Sequence, residues 1–322
     1  MYYKTNWDLT RIPISRNFIP FSFPTLIRFL YRSEIRVVEI PEPLWIRESV
    51  RTFISAFIVR ILKPKTQIVA YCIENNEVAN ILGFPDPFRQ LLTSPIVLLM
   101  RWCIGLTVDR LAYGSCGAQQ TYESLSLPQR VRTRVILELP AAAPTRTSGD
   151  PKHVLFVGRL EARKGVKELM MAWEQIVRFD DDAVLTIVGS GPLRETIEEW
   201  VEGAPKQRRF VGHVEHGDLI TWYSSNRILV APSIRSGRWR EQIGLPVKEA
   251  LSYGLTVVSS AETGLASWLQ ANGHMVVEDV AASLSIALMR AMSAPLDQGV
   301  VQASLPAVEG REEADRWLKN LN

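Results

Sequence analysis

Apolar positions follow two rhythms along this chain, and the rhythms alternate. "HVLFVG" (153–158) is a short apolar run closed by glycine, the pattern of a buried strand. "GVKELMMAWEQIVRF" follows, with apolar residues at Val166, Leu169, Met170, Trp173 and Ile176, which is helical spacing. "AVLTIVGSG" predicts a second strand ending at glycines, and "PLRETIEEWVE" a helix with Pro192 at its first position. "RRFVGHV", "RILVAPS", "LTVVSS" and "HMVV" predict further strands. "DLITWYSS", "LPVKEALSYG" and "DVAASLSIALMRAMS" predict helices between and after them, the last capped by Asp279. Wholly apolar strands alternate with amphipathic helices over about 140 residues, which predicts a doubly wound parallel sheet with helices on both faces. Ligands of such sheets bind beyond the carboxyl ends of the strands. Gly158-Arg159, Gly189-Ser190-Gly191, Gly212-His213 and Pro232-Ser233 collect there.

The front half also reads as α/β. "IRVVEI", "TQIVAYCIEN", "VDRLAYGSC" and "RVRTRVILEL" predict strands. "ESVRTFISAFIVRILK" and "PFRQLLTSPIVLLMRWCIGLTV" predict helices. The first 30 residues contain no glycine and no apolar strand leading into a glycine-rich turn. Residues 139–151, "LPAAAPTRTSGDP", have the composition of an interdomain linker.

A length of 322 residues suggests about two domains, and 47% hydrophobic content allows sizeable cores. The net charge of +3 is uneven. Residues 1–150 carry 18 basic and 12 acidic side chains, a balance of +6, and the remainder balances at −3. A basic front half suits an anionic membrane surface or an acidic acceptor, or is simply an ordinary basic face. Cys72, Cys103 and Cys116 form neither a disulfide framework nor a metal pattern and read as core packing. The N-terminus lacks the apolar stretch of a signal peptide. The most apolar run, residues 91–108, is interrupted by Pro95 and Arg101, so it predicts a buried or surface-lying helix rather than a span.

The chemistry concentrates in "REQIGLPVKEALSYGLTVVSS" (240–260). Pro246 is tolerated only in a first helical turn, so a helix starting near Leu245 leaves Glu241 in the loop before it. Glu249 then lies one turn in. Gly244 permits close approach of a ligand to the backbone. The N–H groups of the first turn favour negative charge. Two hydroxyl-binding carboxylates flanking a phosphate cradle suit a sugar joined to a nucleotide by a diphosphate. Two acidic residues favoured by a helix dipole would leave the same pattern. "VGRLEARKG" adds Arg159 and Lys164 after a strand, a fork and a mobile point charge for a diphosphate. Gly189 and Ser190 add a tight turn.

"FVGRLEARKG", "LTIVGSGP", "RFVGHV", "WYSSNRILVAPS" and "EQIGLPVKEALSYGLTVVSS" stand in the order and spacing of the C-terminal domain of family 4 glycosyltransferases. The chain resembles these retaining, nucleotide-sugar-dependent enzymes over residues 150–295. The resemblance implies a GT-B fold, two Rossmann-like domains facing each other across a cleft. Its expected divisions are an N-terminal acceptor-side domain at 1–140, a nucleotide-sugar domain at 151–295, and a tail at 296–322 whose helix crosses back. The N-terminal domain reads as shortened by about 50 residues at its start.

By the same resemblance Arg159 and Lys164 hold the donor diphosphate. Glu241 binds and orients the transferring sugar, and Glu249 binds the ribose. Gly244 and Leu245 contact sugar and phosphate through the backbone. Gly189, Ser190 and Val214, within residues 211–214, lie near the nucleotide. Such enzymes need no metal, so none is expected, and the nucleotide sugar is a co-substrate. The family often places a histidine in the N-terminal domain, but all four here, His153, His213, His216 and His274, lie in the second half. Glu74 and Asn75 are expected at that place, facing the sugar or acceptor, or as plain polar loop residues.

The expected function is a retaining, hexosyl-type transfer from a nucleotide-diphosphate sugar to a glycan or lipid-linked acceptor, with no nucleic-acid partner. A bacterial polysaccharide-building enzyme is expected, cytoplasmic and in peripheral contact with the inner membrane face through its basic N-terminal domain. The alternatives are a nucleotide-sugar-binding GT-B protein impaired in turnover or truncated, and a sugar-nucleotide epimerase, which needs acid and base carboxylates not identified here.

Overall fold

The computed structural model describes residues 2–3, 19–84, 89–144 and 149–320. Most of the glycine-free opening and the centre of the expected linker lie outside these residues.

The first unit is a four-stranded parallel sheet, β1 (Val37–Glu39), β2 (Gln67–Cys72), β3 (Arg110–Tyr113) and β4 (Arg132–Val135), ordered β1-β2-β3-β4. β2 and β3 are covered on both faces, which is why they read as unbroken apolar runs. Helices α1 (Phe23–Arg32), α2 (Ile46–Leu62), α3 (Val78–Leu82), α4 (Arg89–Thr107) and α5 (Cys116–Glu123) surround the sheet. Ser22 and Ser115 cap α1 and α5 by accepting from Thr25 N and Ala118 N. Leu30, Ile68, Ile104, Leu111 and Tyr122 form the centre of this core.

The second unit is a six-stranded parallel sheet. Its strands are β5 (Asp150–Val157), β6 (Val184–Val188), β7 (Arg208–Gly212), β8 (Asn226–Ala231), β9 (Thr256–Ser260) and β10 (Met275–Val277), ordered β10-β9-β8-β5-β6-β7. The chain runs outward through β5, β6 and β7, then returns to place β8 on the other side of β5. The order therefore reverses between β5 and β8, which makes their carboxyl ends the topological switch point. Helices α6 (Val166–Ile176) and α11 (Val280–Ser293) cover one face, with Trp173 buried between them and the sheet. Asp279 caps α11 through Ala282 N, as expected. Helices α8 (Leu219–Ser225), α9 (Leu245–Ser252), α10 (Ala266–Ala271) and α12 (Gln298–Ala303) cover the other.

Two boundaries differ from the sequence reading. The helix after β6, α7, is Arg194–Glu202, so Pro192 lies in the preceding turn, where Leu193 N instead donates to Leu160 O at 3.0 Å. Strand β5 begins at Asp150, inside the expected linker. Its pairing with β8 shifts register between Asn226 and Ile228, and that irregularity accommodates Pro151, which has no N–H to give a ladder. Helices α1, α3, α5, α10 and α12 have no counterpart in the sequence reading, which runs its strand "VDRLAYGSC" into the start of α5.

The last helix, α13 (Gly310–Lys319), lies on the first unit. Ala314 and Leu318 pack against Val69 and Ala112, and Arg110 Nη1 donates to Trp317 O at 2.7 Å. The two sheets turn the carboxyl ends of β2, β8 and β9 toward one cleft, where their loops meet.

Candidate functional site

The carboxyl ends of β5, β6 and β7 are laced together by backbone hydrogen bonds. Gly158 N donates to Val188 O, Leu160 N to Ser190 O, and Gly189 N to Gly212 O, at 2.8–3.0 Å. Gly189 adopts φ +147°, and a Cβ there would stand 1.8 Å from Gly158 O. Only glycine fits. This rim bounds a cavity of about 360 Å3 lined by Arg159, Gly189, Ser190, His213, Val214 and Leu219, among others. Arg159 is largely exposed and forms an ion pair with Glu161 at 3.5 Å.

The next pocket adjoins the first at Val157 and is lined in part by Lys164, Ser233, Glu241 and Gly244. Lys164 ends a single 3-10 turn, Ala162–Lys164, that follows β5. Its Nζ donates to Glu241 Oε2, and Ser233 Oγ donates to the same oxygen at 2.9 Å. The Trp239 ring lies 5.1 Å from the Lys164 ammonium and 4.1 Å from the Arg163 guanidinium. Glu241 is therefore held by a cation and a hydroxyl before any ligand arrives.

Helix α9 starts at Leu245 with Pro246 in its first turn, and Gly244 before it adopts φ +83°. Pro246 has no N–H, and Val247 N and Lys248 N both return to Gly244 O. The expected phosphate cradle thus narrows to the N–H groups of Gly244 and Leu245, the latter an exposed residue. Glu249 lies one turn into the helix. Its Oε2 accepts from Tyr223 OH at 2.6 Å. Burial, then the Glu249 charge, push the Tyr223 hydroxyl well above its ordinary value, so it stays a donor. Glu249 Oε1 is buried and accepts no hydrogen bond among the described residues. His216 Nδ1, on an exposed ring, stands 3.3 Å away and forms an ion pair only while the imidazole is charged. A buried carboxylate oxygen without a donor is costly, and a ligand hydroxyl would relieve it.

The facing loop follows β2. Glu74 Oε1 accepts from Asn76 N at 3.1 Å, and Glu74 Oε2 accepts from Gln242 Nε2 at 3.1 Å across the cleft. Burial raises the Glu74 carboxyl above its usual range. Asn75, expected to face sugar or acceptor, is buried. Its Nδ2 already donates to Glu241 O at 2.9 Å and Glu262 O at 3.2 Å. Arg240 Nη1 donates to Asn75 O at 2.8 Å, and Arg240 pairs with Glu262 at 2.8 Å. Asn75 is thus a tie between the two units that grips the backbone of Glu241. The sequence reading expects it to face sugar or acceptor and does not foresee this employment.

Several partners went unread. Glu42 Oε1 accepts from Ile73 N at 3.0 Å, Glu74 N at 2.9 Å and Tyr122 OH at 3.3 Å, and so shapes the facing loop from behind. Burial pushes its carboxyl up to about 7, against the pull of the Glu74 and Ile73 N–H groups. Tyr223, His216, Trp239 and Arg240 carry no spacing signal, and Ser233 is read only as a strand-end residue, not as a partner of Glu241. Each meets the site through the fold.

Residues 151–294 match the model of the family described as glycosyl transferases group 1. An uncharacterized glycosyltransferase of Methanocaldococcus jannaschii is 35% identical over 118 residues, 36% of this chain and 29% of that protein. A GDP-mannose-dependent monoacylated alpha-(1-6)-phosphatidylinositol monomannoside mannosyltransferase of Corynebacterium glutamicum is 26% identical over 196 residues, 54% of this chain and 50% of that one. The matches thus span from under a third to half the length of these relatives. Among solved structures, Anabaena Alr3699/HepE in complex with UDP superposes with TM-score 0.67 at 14% identity, over 92% of this chain and 82% of that one. That likeness shows the two-domain GT-B fold.

Proposed function

We propose that this chain, whose residues 151–294 match the group 1 glycosyltransferases, is a retaining glycosyltransferase. It moves a sugar from a nucleotide-diphosphate sugar to a glycan or lipid-linked acceptor. The observation that carries the reading is the pairing of Lys164 with Glu241 beside the unsatisfied Glu249 Oε1, at the switch point of the sheet.

The nucleotide occupies the glycine rim, with its ribose hydroxyls donating to Glu249 Oε1. The diphosphate reaches Lys164 and Arg159 and the N–H groups that open α9. Glu241, released from Lys164, accepts from hydroxyls of the transferring sugar and orients it. As the anomeric bond breaks, charge moves onto the diphosphate, where the two cations and the helix terminus stabilise it. The acceptor hydroxyl attacks from the same face, and its proton goes to the leaving phosphate. Glu241 forms no covalent bond in this scheme. The reaction needs no metal.

Binding without transfer is the second reading. It draws on the ties of Asn75 and Arg240, which close the cleft where an acceptor would enter.

Thermal unfolding with UDP, GDP and ADP, with Lys164→Ala as control, tests the donor site. A ligand at 100 times its dissociation constant adds about 2.7 kcal/mol. One nucleotide should raise the melting temperature of the native chain, with the effect lost in the variant. No response to any of the three rejects the site. Hydrolysis of the matching donor sugar then separates the readings, since binding alone produces no free sugar.

A further inference from the structure

Helix α4 is apolar on both sides, but only one side is packed. Met100, Cys103 and Ile104 enter the core. Leu91, Leu92, Leu98, Leu99, Trp102 and Leu106 are exposed. At about 100° per residue these six fall within an arc of roughly 120°, opposite the buried one. A helix apolar all round belongs inside a protein or a bilayer, and half of this one faces neither.

Its neighbour repeats the pattern. Helix α2 buries Phe53, Ala56 and Val59 and exposes Val50, Ile54 and Ile61, spaced to form one stripe. The two stripes join where the Phe57 and Trp102 rings lie 6.0 Å apart. Nine large apolar side chains, each 40–75% exposed, thus form a surface on two touching helices. Single exposed apolar residues are normal, but a contiguous field of this kind marks an interaction surface.

The charges around it select the partner. Helix α4 contains no Asp or Glu. Helix α2 has one acid, Glu48, which pairs with Arg51 at 2.6 Å. Arg47, Lys65 and Arg101 are exposed beside the stripes, and none forms an ion pair among the described residues. Arg28 and Arg32, exposed on α1 against α2, extend the basic margin. A second copy of this chain would bring the same cations to the same face, and like charges would oppose the contact. An anionic lipid surface meets both features. Its acyl region takes the apolar stripe, and its headgroups take the Arg and Lys side chains, which reach them while their stems stay on apolar ground. No helix among the described residues is long and apolar enough to cross a membrane. Pro95 in the middle of the exposed arc also suits a helix lying on the surface.

We infer that the joined faces of α2 and α4 are a docking surface for an anionic lipid bilayer, with α4 lying in the plane of the headgroups. The inference is independent of the donor site, because vesicle binding and nucleotide binding are separate measurements.

The test is co-sedimentation of the full chain with phosphatidylcholine vesicles with and without phosphatidylglycerol, at low and high salt. The companion variants are Leu98→Glu/Leu99→Glu, which alters only exposed positions, and Arg47→Ala/Arg101→Ala. Binding should require phosphatidylglycerol and weaken with salt. It should fall about tenfold or more in the Leu98→Glu/Leu99→Glu variant and by a smaller factor in the arginine variant, with melting and nucleotide response unchanged. Failure to bind either vesicle overturns the proposal. So does binding that the leucine variant leaves intact, which would place the contact elsewhere. A dimer in light scattering that the leucine variant dissociates, without vesicle binding, would assign the face to self-association and overturn it as well.

Discussion

Glu42 and His274 are buried titratable groups whose shifts run in opposite directions. Burial lowers the His274 imidazole to about 4 while its Nδ1 accepts from Val257 N at 3.1 Å. The unfolded chain then binds the extra proton between about pH 4 and 6.5, so this contribution grows as pH rises and is complete above 6.5. Glu42 is raised to about 7, so the folded chain binds the extra proton between about 4.5 and 7. Its contribution is fully present at low pH and is lost as pH rises through 7. Each is worth up to about 3 kcal/mol, and over the shared window they offset each other. Denaturant unfolding across pH 4–8 should therefore separate them. Glu42→Gln should leave stability rising with pH, and His274→Phe should leave it falling. Parallel curves for both variants would show that neither shift exists. At the site itself, Glu241→Gln should cut transfer by about 100-fold while free-nucleotide affinity stays within roughly threefold. A collapse of nucleotide affinity would make Glu241 structural. Glu241 and Glu249 are legible in sequence because their spacing sits inside one loop and one helical turn, and Lys164 because it follows a strand end within the resemblance, though its contact with Glu241 spans 77 residues. Tyr223 and Glu42 are not, since they arrive from 26 and 32 residues away from the groups they touch.

Among the elements, the central strands β2, β3, β6, β8 and β9 are legible because parallel strands buried on both faces are written as apolar runs, whereas the edge strand β4 is largely exposed. What escapes is where local pattern yields to packing. Pro192 looks like a helix start, but the Leu160–Leu193 backbone bond draws it into the turn. Short α10 and α12 bury too few residues to show a period. The glycine rim makes its own prediction. A methyl on Gly189 would strike the Gly158 carbonyl, so β5 and β6 must part or the turn must flip. Gly189→Ala should cost about 2 kcal/mol in urea unfolding and abolish the nucleotide-induced melting shift. A stable variant with normal nucleotide response would show that the rim is not the binding wall.

Across the whole molecule, the two units are joined by polar ties and by an apolar contact in which Ile73, Leu137 and Leu139 pack with the core of the second unit. Lys248 is one of the polar ties, and it is buried. Its Nζ meets Glu138 Oε1 at 2.6 Å and Glu309 Oε1 at 3.0 Å, next to the point where α13 starts across. Burial alone would lower the Lys248 ammonium, yet the two carboxylates outweigh it and raise it. Lys248→Met should destabilise by about 1–3 kcal/mol, discounted because Glu309 is half exposed, and should loosen the domain arrangement seen in small-angle scattering. An unchanged scattering profile and melting point would remove Lys248 from the hinge. This tie joins three segments that no sequence pattern relates, so only the fold reveals it.

The bond between Lys164 and Glu241 has a consequence for which anions the site would admit. Inorganic phosphate and other small anions are abundant in cells and compete for any bare cation. Here the cation is already neutralised from within. A lone phosphate that takes Lys164 strands Glu241 and leaves it only the Ser233 hydroxyl, so the exchange gains little. Under the proposed function, a sugar diphosphate would give Lys164 its phosphate and Glu241 its hydroxyls together. The pair would then act as a filter on the background of small anions, admitting a ligand that replaces both halves at once.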